Sequence, residues 1–110
     1  MNDQHQQLAS GRWMRMPFFE QMANIGSEVE RAMKWKNKSN KEYSRMAFER
    51  TLELLALTIS DSKNLKRLRE LTRLREMLID YFEFNNEYHS TDKKWKDYFF
   101  SFNFASRLGR

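Results

Sequence analysis

From Pro17 to Phe104, apolar residues return at every third or fourth position, the repeat of helices that bury one face, and few residues interrupt it. One proline and three glycines in 110 residues are too few breakers for the many tight turns of a β-sandwich or barrel. The pattern predicts an all-α chain, and its polar breaks divide it into an antiparallel four-helix bundle.

The first predicted helix starts at Pro17 and carries Phe18, Met22, Ile25, Val29 and Met33 on one stripe through Trp35. Residues 36–40 form a polar break, in which Ser39 and Glu42 have the spacing of a capping box. The second helix places Tyr43, Met46, Ala47, Leu54 and Leu57 on one line, interrupted by Arg50, with Phe48, Leu52, Leu55 and Ile59 beside it. Ser60, Asp61 and Ser62 stop that helix and cap the third, whose stripe is Leu65, Leu68, Leu71, Leu74, Leu78, Ile79 and Phe82. After a loop, Ser90 or Thr91 caps a last helix with Trp95, Tyr98, Phe99, Phe102 and Ala105 on its inner face. Tyr98, Phe100, Phe102 and Phe104 also alternate as a strand would, but a lone strand leaves its backbone groups unpaired, which favours the helix. Residues 1–12 lack a periodic apolar face and read as a flexible tail, leaving residues 13–110 as one domain.

The absence of cysteine excludes disulfides, thiolate metal sites and thiol nucleophiles, and it suits a reducing cytoplasm. The uncharged stretch from Leu54 to Ser60 is far shorter than the roughly 20 residues of a membrane span, so no membrane partner is expected. Two histidines in unrelated contexts and scattered glycines supply neither a catalytic triad, a metal-ligand spacing nor a phosphate loop. The expectation is a protein with no catalytic residues, metal or cofactor.

Twenty Lys and Arg against fifteen Asp and Glu give a net charge of +5, which favours polyanionic partners where the cations cluster. The densest cluster opens the third helix, with Lys63, Lys66, Arg67, Arg69 and Arg73 opposed by Glu70. Lys66, Arg69 and Arg73 share a helix face, where they could meet successive phosphates of RNA or DNA; the alternative is a solvated face. Lys34, Lys36 and Lys38 surround Trp35 at the first turn, a pattern that combines phosphate contact with base stacking unless Trp35 closes the bundle end as core. Arg50 and Arg75 interrupt apolar lines and would need carboxylates such as Asp80 in a buried polar cluster, or else reach the rim with packed stems. The aromatics of the last helix exceed one buried face, so Phe100 and Phe104 are expected at an interface with a second copy or a protein partner.

The run Arg75-Glu76-Met77-Leu78-Ile79-Asp80-Tyr81-Phe82 resembles the motif helix of HEPN-type bundles, small all-α proteins often linked to RNA cleavage or to nucleotidyltransferase partners. Arg75 stands at the motif arginine and Tyr81 at its nearby tyrosine, while Asp80 occupies the place of the catalytic histidine. The resemblance implies a HEPN-like bundle whose ribonuclease activity would lack its histidine.

Overall fold

The structure, a computed structural model, describes residues 10–108. Among these residues it is all-α and contains no strand: α1 (residues 10–14), α2 (Phe18–Asn37), α3 (Lys41–Ser60), a 3-10 turn (Ser62–Arg67), α4 (Leu68–Glu83) and α5 (Asp92–Leu108). The expected tail overlaps α1 at residues 10–12, and its remainder, residues 1–9, lies outside the described residues. The alternating aromatics at 98–104 are helical.

Helix α2 packs against both α3 and α5, and α4 packs against α3. Its predicted stripe is the centre of the core, with Met22, Ile25, Val29 and Met33 almost wholly buried. Leu71, Leu74 and Leu78 bury the inner face of α4, and Phe82 meets Phe48 of α3 with ring centroids 4.8 Å apart. Trp95 and Phe99 bury α5, whose Phe102 meets Phe18 edge-on at 5.9 Å. At Gly26 the two backbones approach so closely that a Cβ would lie 2.7 Å from the Cβ of Phe99.

The buried line of α3 differs from the expected one. It runs through Ser44, Ala47, Phe48, Thr51, Leu55 and Thr58, while Tyr43 and Met46 are exposed. Three hydroxyls sit in the core because each has a nearby carbonyl: Ser44 donates to Ala32 O at 2.8 Å, Thr51 to Ala47 O at 3.0 Å and Thr58 to Leu54 O at 2.7 Å. Arg50 interrupts a line of which Ala47 is buried and Leu54 and Leu57 pack against the core, while Arg50 itself is exposed.

The third stripe also begins later than expected. Residues 62–67 form a 3-10 turn, whose three-residue repeat shifts the phase, so Leu65 is 71% exposed and Asn64 is buried instead. Asn64 belongs to a polar knot that fastens α1 to the rest of the fold. Trp13 Nε1 donates to Thr58 Oγ1 at 2.9 Å. Gln21 donates to Trp13 O and to Asp61 Oδ2, each at 3.0 Å, and its own carbonyl accepts from Asn64 at 2.9 Å. Burial alone would raise the Asp61 pKa, but hydrogen bonds from Lys63 and Gln21 and the charge of Lys63 outweigh it and hold the carboxyl below its ordinary value.

Asn40, not Ser39, caps α3 by accepting from Tyr43 N at 3.0 Å. Ser39 instead ends α2 in a Schellman turn, with Asn40 N donating to Trp35 O at 2.9 Å and Ser39 N to Lys36 O at 3.0 Å. That turn requires the left-handed backbone, and Ser39 has φ 61°. Ser39→Gly removes the Cβ penalty and should raise unfolding free energy by about 0.5–1 kcal/mol in urea titrations; an unchanged midpoint would remove this account of the turn.

Candidate nucleic-acid interface

Helix α5 packs on α2 and α4 packs on α3, and a groove of ≈ 670 Å³ opens between α4 and α5. One wall follows from the face shared by Lys66, Arg69 and Arg73. Across the groove stand Lys94, Tyr98 and the buried Trp95, with Tyr88 from the preceding loop, while Leu74 and Met77 supply apolar lining. Lys66, Arg69 and Arg73 have no carboxylate within ion-pair distance among the described residues, and Lys94 Nζ donates to His89 O at 3.2 Å. Burial, then the charge of Glu70 against the smaller opposing effect of Arg67, pushes the Tyr98 hydroxyl up to about 12, so it stays a neutral donor through the physiological range.

Two members of the expected patch point elsewhere. Lys63 bonds Asp61 and donates to Met14 O at 3.0 Å, so it serves the polar knot. The Arg67 guanidinium lies 4.1 Å from the centre of the Phe18 ring and 3.8 Å from Glu70, which places it against the α2 end of the molecule.

The first-turn cluster is divided in a similar way. Lys34, Trp35 and Lys38 join Arg31 and Lys96 around a second concavity of ≈ 660 Å³ between α2 and α5. Trp35 is half-buried, its ring edge-on to Tyr43 at 4.9 Å and covered by Lys38 Nζ at 5.4 Å. Lys36 leaves this group and sits 4.2 Å over the Tyr81 ring. Tyr81 in turn donates to Asp92, the first residue of α5, which also accepts from Asn37 at 2.8 Å. Burial would raise the Asp92 pKa, yet these hydrogen bonds and the charges of Lys36 and Lys96 hold it below its ordinary value.

The expected buried cluster of Arg50, Arg75 and Asp80 does not form. Both arginines are exposed, and Asp80 alone is buried. Its carboxylate accepts from Glu87 N at 2.9 Å and Tyr88 N at 3.0 Å, closing the loop that leads to α5. A carboxylate satisfied by two backbone amides needs no arginine partner. Phe100 and Phe104 are 66% and 55% exposed on the outer face of α5 and stack on each other at 6.4 Å.

Lys94, Lys96 and Tyr88 complete the two concavities but were not singled out in the sequence, because they approach the basic faces from another part of the chain. No group of His, Asp and Glu suited to a metal ion occurs among the described residues, and none of their helices is long and apolar enough to cross a membrane. Comparisons with protein-family models, with curated proteins and with solved structures return no match for this chain.

Proposed function

We propose that this chain is a non-enzymatic binder of RNA or another polyanion, built as an antiparallel four-helix bundle left open between α4 and α5. The observation that carries the reading is the convergence of Lys66, Arg69, Arg73 and Lys94 on one groove also lined by Tyr88, Tyr98 and Trp95. Cations along a groove follow a phosphate backbone, and the exposed Tyr88 ring beside the partly buried Tyr98 offers a face on which an unpaired base can stack, so single strands are favoured over duplexes. The HEPN-like motif carries no catalysis in this reading, since Asp80, at the histidine's place, is committed to loop amides. A cysteine-free chain suits the cytoplasm, where RNA is met.

The test is fluorescence anisotropy of a labelled single-stranded RNA and a DNA duplex across a salt series. The triple variant Lys66→Glu, Arg69→Glu, Arg73→Glu should lose at least about 100-fold in RNA affinity, and the log–log salt slope should fall by about 2 as three phosphate contacts disappear. Unchanged affinity would sink the assignment. Lys63→Gln should alter the salt slope little, since its ammonium is engaged in the polar knot.

A second reading, self-association or protein binding through α5, is favoured by Phe100, Phe104 and Leu108, which are exposed at four-residue spacing along one outer line. Phe100→Ser with Phe104→Ser should dissociate an oligomer in light scattering while shifting monomer stability by less than about 0.5 kcal/mol, as neither ring is in the core. A wild-type protein that is monomeric at high concentration would end the self-association form of this reading.

A further inference from the structure

The surface between α2 and α3 contains an acceptor for which the described residues provide no donor. Glu28 Oε1 lies 3.5 Å from Arg31, but Oε2 is buried and has no hydrogen-bond partner among the described residues. Folded proteins pair nearly all such atoms, so an orphaned carboxylate oxygen beside a cavity points to a ligand that supplies the missing N–H or O–H. Glu28 lines a concavity of ≈ 330 Å³ together with Arg31, Trp35, Tyr43, Met46 and Arg50. Tyr43 and Met46 are exposed side chains on the wall of this concavity, and Tyr43 meets the Trp35 ring edge-on at 4.9 Å.

We propose that this concavity binds a guanine nucleotide, with the base on the Trp35–Tyr43 wall, its Watson–Crick edge on Glu28 and its phosphate between Arg31 and Arg50. The chemistry of the carboxylate selects the base. Guanine offers two adjacent donors, N1–H and the N2 amino group, to an acceptor-only side chain. Adenine and cytosine place a ring-nitrogen acceptor beside their amino group, and uracil flanks its single N–H with two carbonyls, so each sets a lone pair against the carboxylate. The two arginines neutralise the phosphate, and the 3.5 Å Arg31–Glu28 contact is long enough to be exchanged for it. This site lies on a different pair of helices from the α4–α5 groove and does not depend on that groove. The same chemistry fits a free guanosine phosphate or a guanosine within a strand, whose neighbouring phosphates would meet Lys34, Lys38 and Lys96 in the concavity that shares Arg31 and Trp35.

Isothermal titration calorimetry on the full chain decides the matter, using GMP, AMP, CMP and UMP and the RNA tetramers UUGU and UUUU. The expected result is a preference of about tenfold for guanine over each other base, the size of one well-placed hydrogen bond to a charged group. Glu28→Gln should erase the preference with the circular dichroism unchanged, and Arg50→Ala, at an exposed position, should weaken every nucleotide alike. Tight UUGU with weak GMP identifies a strand as the source; equal affinities identify the free nucleotide. The triple reversal at Lys66, Arg69 and Arg73 should leave GMP binding intact, which separates this site from the groove. Indistinguishable binding of all six ligands, or a guanine preference that survives Glu28→Gln, overturns the proposal.

Discussion

Phe99→Ala should lower the unfolding free energy by about 3–5 kcal/mol, the range for deleting a buried aromatic ring. Phe99 is almost wholly buried, stacks on Trp95 at 6.2 Å and fills the close approach between α5 and α2. Gly26 makes that approach feasible, and its replacement tests the cause directly. An alanine Cβ would sit 2.7, 2.8 and 2.9 Å from Phe99 Cβ, Cγ and Cδ1, so backbone or ring must shift. Overpacking of this kind costs about 1–3 kcal/mol, more than the roughly 1 kcal/mol that alanine gains over glycine inside a helix. Removing the ring eliminates two of the three short contacts. Gly26→Ala should therefore be destabilising in the native background and only partly relieved beside Phe99→Ala, which keeps the Cβ at 2.7 Å, with a coupling of about 0.5–1 kcal/mol by urea denaturation. Equal effects in both backgrounds would show that the ring is not the obstacle and that the close approach of the two backbones alone, through the retained Cβ of residue 99, requires the glycine.

What the sequence reveals of this fold depends on how the core is made. The stripes of α2, α4 and α5 are long apolar side chains at helical spacing, so Met22, Ile25, Val29, Leu71, Leu74, Leu78, Trp95 and Phe99 were legible as core. In α3 the buried Ala47, Phe48 and Leu55 are legible, but the inward Ser44, Thr51 and Thr58 are not, since polar residues enter a core only when their hydroxyls find carbonyls, which pattern alone does not reveal. The 3-10 turn had the same effect on Leu65, since a change of helical repeat moves every later residue on the wheel. At the basic interface, the spacing of Arg69 and Arg73 on α4 is legible, and Lys66, although in the 3-10 turn, reaches the same groove. The diversion of Lys63 towards Met14, and the arrival of Lys94 and Tyr88 opposite them, depend on contacts between distant segments. Arg50 and Arg75 were overvalued for a related reason: each breaks a line of apolar residues, but the burial of a line is set by its neighbours in space.

Asp61→Ala should cost about 3 kcal/mol, because one carboxylate serves three partners at the junction of α1, α2 and the 3-10 turn. It caps that turn by accepting from Lys63 N at 3.2 Å, receives the Gln21 amide at 3.0 Å and pairs with the Lys63 ammonium. Gln21 is fully buried, with its other donor already used on Trp13 O, so losing Asp61 leaves a buried N–H unpaired at about 1–3 kcal/mol. The lost cap adds about 1 kcal/mol, while the half-exposed Lys63 recovers water and adds little. The same geometry makes stability depend on pH with a definite sign. The folded pKa of Asp61 lies below its ordinary value of 3.8, so the unfolded chain takes up the proton first on acidification. Its contribution is complete above that value and is lost as pH falls through the lower, folded value. Asp61→Asn removes the titration while retaining a carbonyl acceptor, so the wild-type advantage over this variant should be level from pH 7 to pH 5 and shrink as the pH drops below about 4. Asp92, whose pKa is also lowered, titrates in both proteins, and its effect cancels in the difference. An advantage that stays constant to pH 2 in thermal or urea melts would mean that the Asp61 charge adds nothing and that the knot is held by the shape of its hydrogen bonds alone.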